Sequence, residues 1–155
     1  MNQNQAKAPL FTSPSNYNAP VRMEKIKIII AENDEDEQFF MKDGFEASGH
    51  FNVIGFACSG DELLATLNND ELDPPDMILS DLNMPGKNGY DVLKALRADK
   101  KFSALPIVIT STSSIKSVID TCMQLGATKF MQKPDTFVEY ADFARELADL
   151  LKTKS

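Results

Sequence analysis

From residue 26 onward, short apolar runs alternate with longer stretches of helical period, and this alternation leaves few folds open to the chain. The runs are IKIIIA at 26–31, FNVIGFA at 51–57, DMILS at 76–80, PIVIT at 106–110 and TKFMQ at 128–132. Each is the length of a strand and bounded by turn residues, so five strands are expected, with a helix after each. Helical crossovers of this length dictate parallel pairing with right-handed connections and helices on both faces. The expected fold is α/β, a doubly wound (βα)5 parallel five-stranded sheet of order 2-1-3-4-5, flavodoxin-like.

The helices carry their own marks. Phe40, Phe45 and Ala47 outline the first, closing near Gly49, and Leu63, Leu64 and Leu67 the second, behind a capping-box pattern of Ser59 and Glu62. Val92, Leu93 and Leu96 define the third. Ile115, Ile119, Cys122 and Leu125 define the fourth, with Gly126 suited to the position after its end, where positive φ is needed. The fifth is expected to open at a second box, Thr136 and Glu139, and to run through Tyr140, Phe143, Leu147 and Leu150.

At 155 residues the chain suits one domain with a real core. Residues 1–23, rich in Asn, Gln, Pro and Ser, are expected to form a flexible tail ahead of a folded domain over 24–153. A net charge of −7 argues against DNA and against anionic membrane surfaces, both of which need clustered Lys and Arg. No apolar stretch is long enough for a membrane span and no signal peptide is visible, so a cytoplasmic location is expected. Cys58 and Cys122, far apart and without CxxC spacing, suggest neither zinc nor a disulfide framework.

Open parallel sheets bind ligands beyond the carboxyl ends of their strands. Strand 1 runs into Glu32, Asn33 and Asp34, strand 3 into Asp81, strand 4 ends at Thr110 and Ser111, and strand 5 runs into Lys133. One rim therefore collects carboxylates, a hydroxyl and an ammonium. Clustered acids invite a hard dication such as Mg²⁺, which takes one or two carboxylates and keeps several waters. Asp81 suits a nucleophile toward phosphorus, with Lys133 as the compensating cation and Thr110 as a hydroxyl donor.

Taken singly these residues have ordinary readings, since an Asp after a strand often caps a helix and a Lys before Pro is often a loop residue. Their coincidence at one rim is what sets them apart. His50, the only histidine, reads as a surface loop residue. PGKNG at 85–89 lacks the rest of a phosphate loop, and DEDEQF from 34 has Phe39 where a calcium loop turns on glycine.

With these residues assembled, the chain over roughly 24–152 resembles the receiver domain of two-component response regulators, in the manner of a stand-alone, chemotaxis-regulator-like protein. The resemblance rests on SDLNMPGKNGYDVL at 80–93, on IVITS ending in Thr110 and Ser111, and on KFMQKP with Lys133 and Pro134. It implies that Asp81 accepts a phosphoryl group from a sensor histidine kinase or a phosphotransfer protein, with signalling through a downstream partner not identifiable from the sequence. It further implies Mg²⁺ held by Glu32, Asn33, Asp81 and the main-chain carbonyl of Asn83. Thr110 and Phe130 match the family's switch pair, with Phe130 following Thr110 inward and altering the face of helix 4, strand 5 and helix 5. With the chain stopping at Ser155 and no output domain in view, partner binding is the expected mode of action, and a homodimer through the helix 4 and helix 5 face stays open. On this reading the protein is a phosphoacceptor with Mg²⁺-dependent self-phosphorylation and autodephosphorylation, not an enzyme acting on other substrates.

The departure lies at AENDEDEQ, residues 31–38, where Asn33 stands in place of the family's second acid. Its amide oxygen is neutral, so weaker Mg²⁺ binding is expected unless Asp34 reaches inward. Asp36 and Glu37 read as first-turn helix residues that complement the helix dipole. Two alternatives remain: a degenerate interaction module independent of phosphorylation, and an Asp-nucleophile phosphatase of haloacid-dehalogenase type. The second wants an acid two residues past Asp81, where Asn83 stands. Flavin binding rests on fold analogy alone.

Overall fold

The computed structural model describes residues 24–152. In chain order it contains β1 (Ile26–Ala31), α1 (Glu35–Ala47), β2 (Phe51–Ala57), α2 (Gly60–Leu67), β3 (Met77–Asp81), α3 (Gly89–Ala98), β4 (Ile107–Ser111), α4 (Lys116–Gln124), β5 (Lys129–Gln132) and α5 (Tyr140–Lys152). Single 3-10 turns at Lys100–Phe102 and Phe137–Glu139 precede β4 and α5. The strands form one sheet in the order β2-β1-β3-β4-β5 with every pairing parallel, as the alternation of runs predicts. The tail expected over residues 1–23 lies outside the described residues.

Successive side chains of a strand face opposite sides of a sheet, and here that period sorts the core into two. Ile28 and Ile30 of β1, Leu79 of β3, Val108 of β4 and Met131 of β5 pack against Met41 and Phe45 of α1 and Phe143, Ala144 and Leu147 of α5. Ile29, Ile78, Ile107 and Ile109 instead meet Leu63 of α2, Val92, Leu93 and Leu96 of α3 and Cys122 of α4. The central strands are buried on both faces, which is why they read as continuous apolar runs rather than alternating ones.

Several local expectations change. Ala47 is exposed and Met41 takes its place in the core. Ile115 precedes α4, 63% exposed, so that helix buries only Cys122 fully. Ser59 caps α2 by accepting the Glu62 N–H, but Glu62 reaches back to the N–H of Cys58 and not to that of Ser59. Thr136 makes no side-chain cap, its hydroxyl donating to the Glu139 carboxylate, and a 3-10 turn intervenes before α5. The complete capping box belongs to α3, where Asn88 and Asp91 exchange side-chain and backbone bonds. Gly126 follows α4 at φ +105°, in the region that favours glycine.

On α1 a glycine is required for contact. A Cβ on Gly44 would lie 2.7 Å from Tyr140 Cβ and 2.8 Å from the Ala141 nitrogen. The backbones of α1 and α5 thus touch near the start of α5, and a side chain there would force the helices apart. No helix among the described residues is long and apolar enough to cross a membrane.

Candidate functional site

Four residues anticipated from the sequence are carried to the rim by the sheet ladder itself. The N–H of Glu32 donates to the Ala57 carbonyl at 2.8 Å, extending the pairing of β1 with β2 by one residue, and the N–H of Lys133 donates to the Ser111 carbonyl at 2.9 Å. Asp81 and Thr110 are direct register partners at the ends of β3 and β4. Counting by twos from Ile30, Leu79, Val108 and Met131 assigns Glu32, Asp81, Thr110 and Lys133 to the same side of the sheet, the α1/α5 side. All four are close to fully buried: Glu32 and Thr110 are 1% exposed, Asp81 is 7% exposed, and the Lys133 side chain is 8% exposed.

The Lys133 ammonium is the centre of the arrangement. Its Nζ lies 2.8 Å from Glu32 Oε1, 3.2 Å from Asp81 Oδ2 and 3.4 Å from Glu37 Oε1. Burial alone would pull the lysine down, yet the Glu32 hydrogen bond and the charges of Asp81, Glu32 and Glu37 together hold it above its ordinary value. Glu32 is also pushed up. For it burial outweighs the Lys133 hydrogen bond and the N–H of Asp34, and the nearby Asp81 charge adds to the rise. The two directions are compatible, because one ammonium shared among three carboxylates compensates each only in part. The remaining oxygens are also engaged: Glu32 Oε2 accepts the Asp34 N–H at 3.0 Å, and Asp81 Oδ1 accepts the Asn83 N–H at 3.2 Å.

Thr110 Oγ1 is buried without a hydrogen-bond partner. A buried hydroxyl left unpaired costs about 1–3 kcal/mol, so its presence on an otherwise satisfied rim calls for an explanation. Phe130 is half-buried and registers with Ile109, while Thr110 registers with Met131. It packs into the core on the α2/α3/α4 side, so the anticipated switch pair sits on opposite faces of the sheet.

Asn33 and Asn83 are both exposed at the rim. Asp34 does not reach inward, because it is the N-cap of α1 and accepts the Glu37 N–H at 3.1 Å. Among the described residues no three His, Cys, Asp or Glu side chains are grouped to hold a metal ion. Any metal at this rim would draw on amide or carbonyl oxygens as well as carboxylates.

Two participants escape the sequence. Glu37 is not merely a first-turn residue: besides its contact with Lys133, its Oε2 accepts the hydroxyl of Tyr140, the fully buried first residue of α5. Burial and the adjoining Glu37 carboxylate both push the Tyr140 phenol above its ordinary value. A first-turn Glu and an aromatic on a helix's apolar stripe give no sign of meeting, since the meeting depends on how α1 and α5 cross. Beside them Phe40 stacks on Phe137 with centroids 4.5 Å apart, while Phe39 and Val138 stand 67% and 85% exposed.

The sequence pattern of the response regulator receiver domain matches residues 28–142. A protein-glutamate methylesterase/protein-glutamine glutaminase of Clostridium acetobutylicum is 34% identical over 127 residues, covering 81% of this chain and 35% of that protein. The chain thus spans about a third of that relative's length. Among solved structures, the phosphorylated cyanobacterial phytochrome response regulator RcpA aligns with a TM-score of 0.75 at 21% identity, over 85% of this chain and 97% of that one. The Mn²⁺-bound form of the response regulator Rcp1 aligns with a TM-score of 0.67 at 17% identity, over 79% and 91%. At these identities the two structures speak to the fold.

Proposed function

The chain belongs to the response regulator receiver family of two-component signalling, and from that membership we propose that Asp81 accepts a phosphoryl group from the phosphohistidine of a sensor histidine kinase or phosphotransfer protein. An O–P bond forms to an Asp81 carboxylate oxygen as the N–P bond of the donor breaks, the electron pair leaving with the imidazole nitrogen. The catalytic power asked of the protein is positioning and charge compensation. Lys133, 3.2 Å from Asp81 Oδ2, supplies a fixed positive charge beside the reacting oxygens. The observation that carries the reading is the orphaned Thr110 hydroxyl on the register partner of Asp81, a donor that a phosphoryl oxygen would satisfy.

The donor set fits Mg²⁺. Glu32, Glu37 and Asp81 against Lys133 leave two negative charges in a nearly dry site, which a dication would balance, and the exposed Asn33 and Asn83 offer neutral oxygens beside them. Asp81, Glu32, the Asn33 amide oxygen and the Asn83 carbonyl would hold it. When bound, the ion offsets charge on the transferring phosphoryl group. The residues' own part is positional: Asp81 Oδ1 is fixed by the Asn83 N–H and Oδ2 faces the Lys133 ammonium.

Downstream, the phosphorylated state is expected to act through protein partners, as a population shift between two arrangements of one fold. Phe39, Phe137 and Val138 offer apolar surface beside the site that a protein partner would cover. Asn33, exposed and neutral, is what favours the second reading, a module that binds partners without being phosphorylated.

Intact mass after incubation with Mg²⁺ and a small phosphoryl donor tests the proposal. One base-labile phosphoryl adduct, absent in Asp81→Asn, is expected. An unmodified protein, with this donor and with histidine-kinase donors alike, would favour the phosphorylation-independent module.

A further inference from the structure

Lys133 serves three carboxylates, and only one of them is anchored from another helix. The ammonium has three N–H donors, and Glu32, Asp81 and Glu37 lie around it at 2.8, 3.2 and 3.4 Å. A phosphoryl group on Asp81 would place about 1.5–2 negative charges and three acceptor oxygens beside the same ammonium, in place of the carboxylate's single charge. Lys133 hydrogen-bonds Glu32 and Asp81 and holds Glu37 by charge alone, so turning toward those oxygens would draw it away from Glu37 first. Glu37 makes the longest of the three contacts, and its other oxygen already accepts the Tyr140 hydroxyl of α5. Released by Lys133, Glu37 keeps a donor in a side-chain environment only 17% exposed.

We propose that Glu37 and Tyr140 are positioning residues for Lys133, with Glu37 holding the ammonium before phosphorylation and Tyr140 retaining Glu37 afterwards. The proposal rests on Asp81 being the phosphoacceptor. Its consequence is an output on the α1/α5 face, distinct from any movement of Phe130, which packs on the opposite face of the sheet. The two helices are poised to register it. Gly44, two turns along α1 from Glu37, brings that helix against the backbone of α5 at Tyr140 and Ala141, so a shift at Glu37 has no slack in which to dissipate.

The test uses the full chain with ring-¹³C tyrosine, observed by NMR before and after conversion to the phosphoryl adduct, the conversion being verified by intact mass. The protein has three tyrosines, Tyr17, Tyr90 and Tyr140. Tyr140→Phe assigns the signal, and Tyr17→Phe with Tyr90→Phe assigns it by elimination if Tyr140→Phe does not fold. The expected result is a Tyr140 resonance that moves on adduct formation, a movement abolished in Glu37→Gln and partly restored in Glu37→Asp. In Tyr140→Phe, where Glu37 has only Lys133 to turn to, phosphoryl acceptance should slow about threefold to tenfold, the scale of one hydrogen bond. An adduct with an unmoved Tyr140 resonance overturns the inference and leaves the role of Asp81 intact. No adduct at all removes both.

Discussion

The two faces of the sheet bury charge in opposite ways. On the α2/α3/α4 side the cation is the half-buried Arg97 of α3, and its guanidinium donates to the carbonyls of Gly126, Phe102 and Leu105 at 2.9, 3.0 and 2.7 Å. Those acceptors are neutral, fixed parts of the backbone, and they tie the end of α4 and the approach to β4 to α3. On the α1/α5 side the cation is Lys133, and its partners are three carboxylates that together exceed its charge. Arg97 has nothing to exchange. Lys133 sits among competitors, so the proposed phosphoryl group at Asp81 would redistribute its contacts. The same sheet thus carries a permanent clamp on one side and an adjustable centre on the other.

Removing each cation should separate the two most sharply. Lys133→Met leaves buried carboxylates without a counter-ion and should cost about 3–5 kcal/mol in urea unfolding near neutral pH. Glu32 is already raised above its ordinary value in the folded protein. A folded-state value above the unfolded one means the penalty is absent below the ordinary carboxylate range and grows as pH rises through the raised value. Acidification should therefore shrink the loss in Lys133→Met. Arg97→Met should cost about 1–3 kcal/mol by orphaning carbonyls, with no such pH slope. Equal losses with equal slopes would erase the distinction between the faces.

Adding a carboxylate at the exposed rim is the next step. Asn33→Asp should tighten Mg²⁺ binding about tenfold in calorimetric titration, roughly 1.4 kcal/mol. Unchanged affinity would place the metal out of reach of residue 33.

Thr110→Val keeps the shape and deletes the unpaired hydroxyl, so it should stabilise the protein by about 1 kcal/mol while slowing phosphoryl acceptance. A clear loss of stability would mean that the hydroxyl is satisfied after all. The smallest effect is spectroscopic. Tyr140 is held above its ordinary value by burial and Glu37, so its stabilising contribution is whole below the ordinary tyrosine range and is lost only as pH rises through the higher folded value. In an alkaline titration followed by tyrosinate absorbance, one of the three tyrosines should stay protonated until the protein unfolds.

Much of this was legible in the sequence, for a reason specific to parallel sheets. Strands have a period of two and end at one rim, so residues at or just beyond the ends of IKIIIA, DMILS, PIVIT and TKFMQ had to converge, and Glu32, Asp81, Thr110 and Lys133 do. The same counting gives Phe130 to Ile109 and the far face, a consequence that motif matching alone does not supply. Glu37 and Tyr140 were illegible because their meeting depends on the crossing of two helices distant in sequence. That crossing is set by the bare backbone at Gly44, and a mid-helix glycine in a sequence does not say which helix it admits. Whether Asp34 reaches inward was left open by the sequence and is decided locally, because its side chain accepts the Glu37 N–H and is held at the N-cap of α1.

The central claim is that Asp81 is the group that takes the phosphoryl. Reductive cleavage of the phosphorylated chain with borohydride, followed by peptide mass mapping, reads the acyl phosphate's position directly. The account predicts a single reduced carboxyl at residue 81; a reduced carboxyl at Glu32 or Glu37, or none in protein shown by intact mass to carry phosphate, would contradict it.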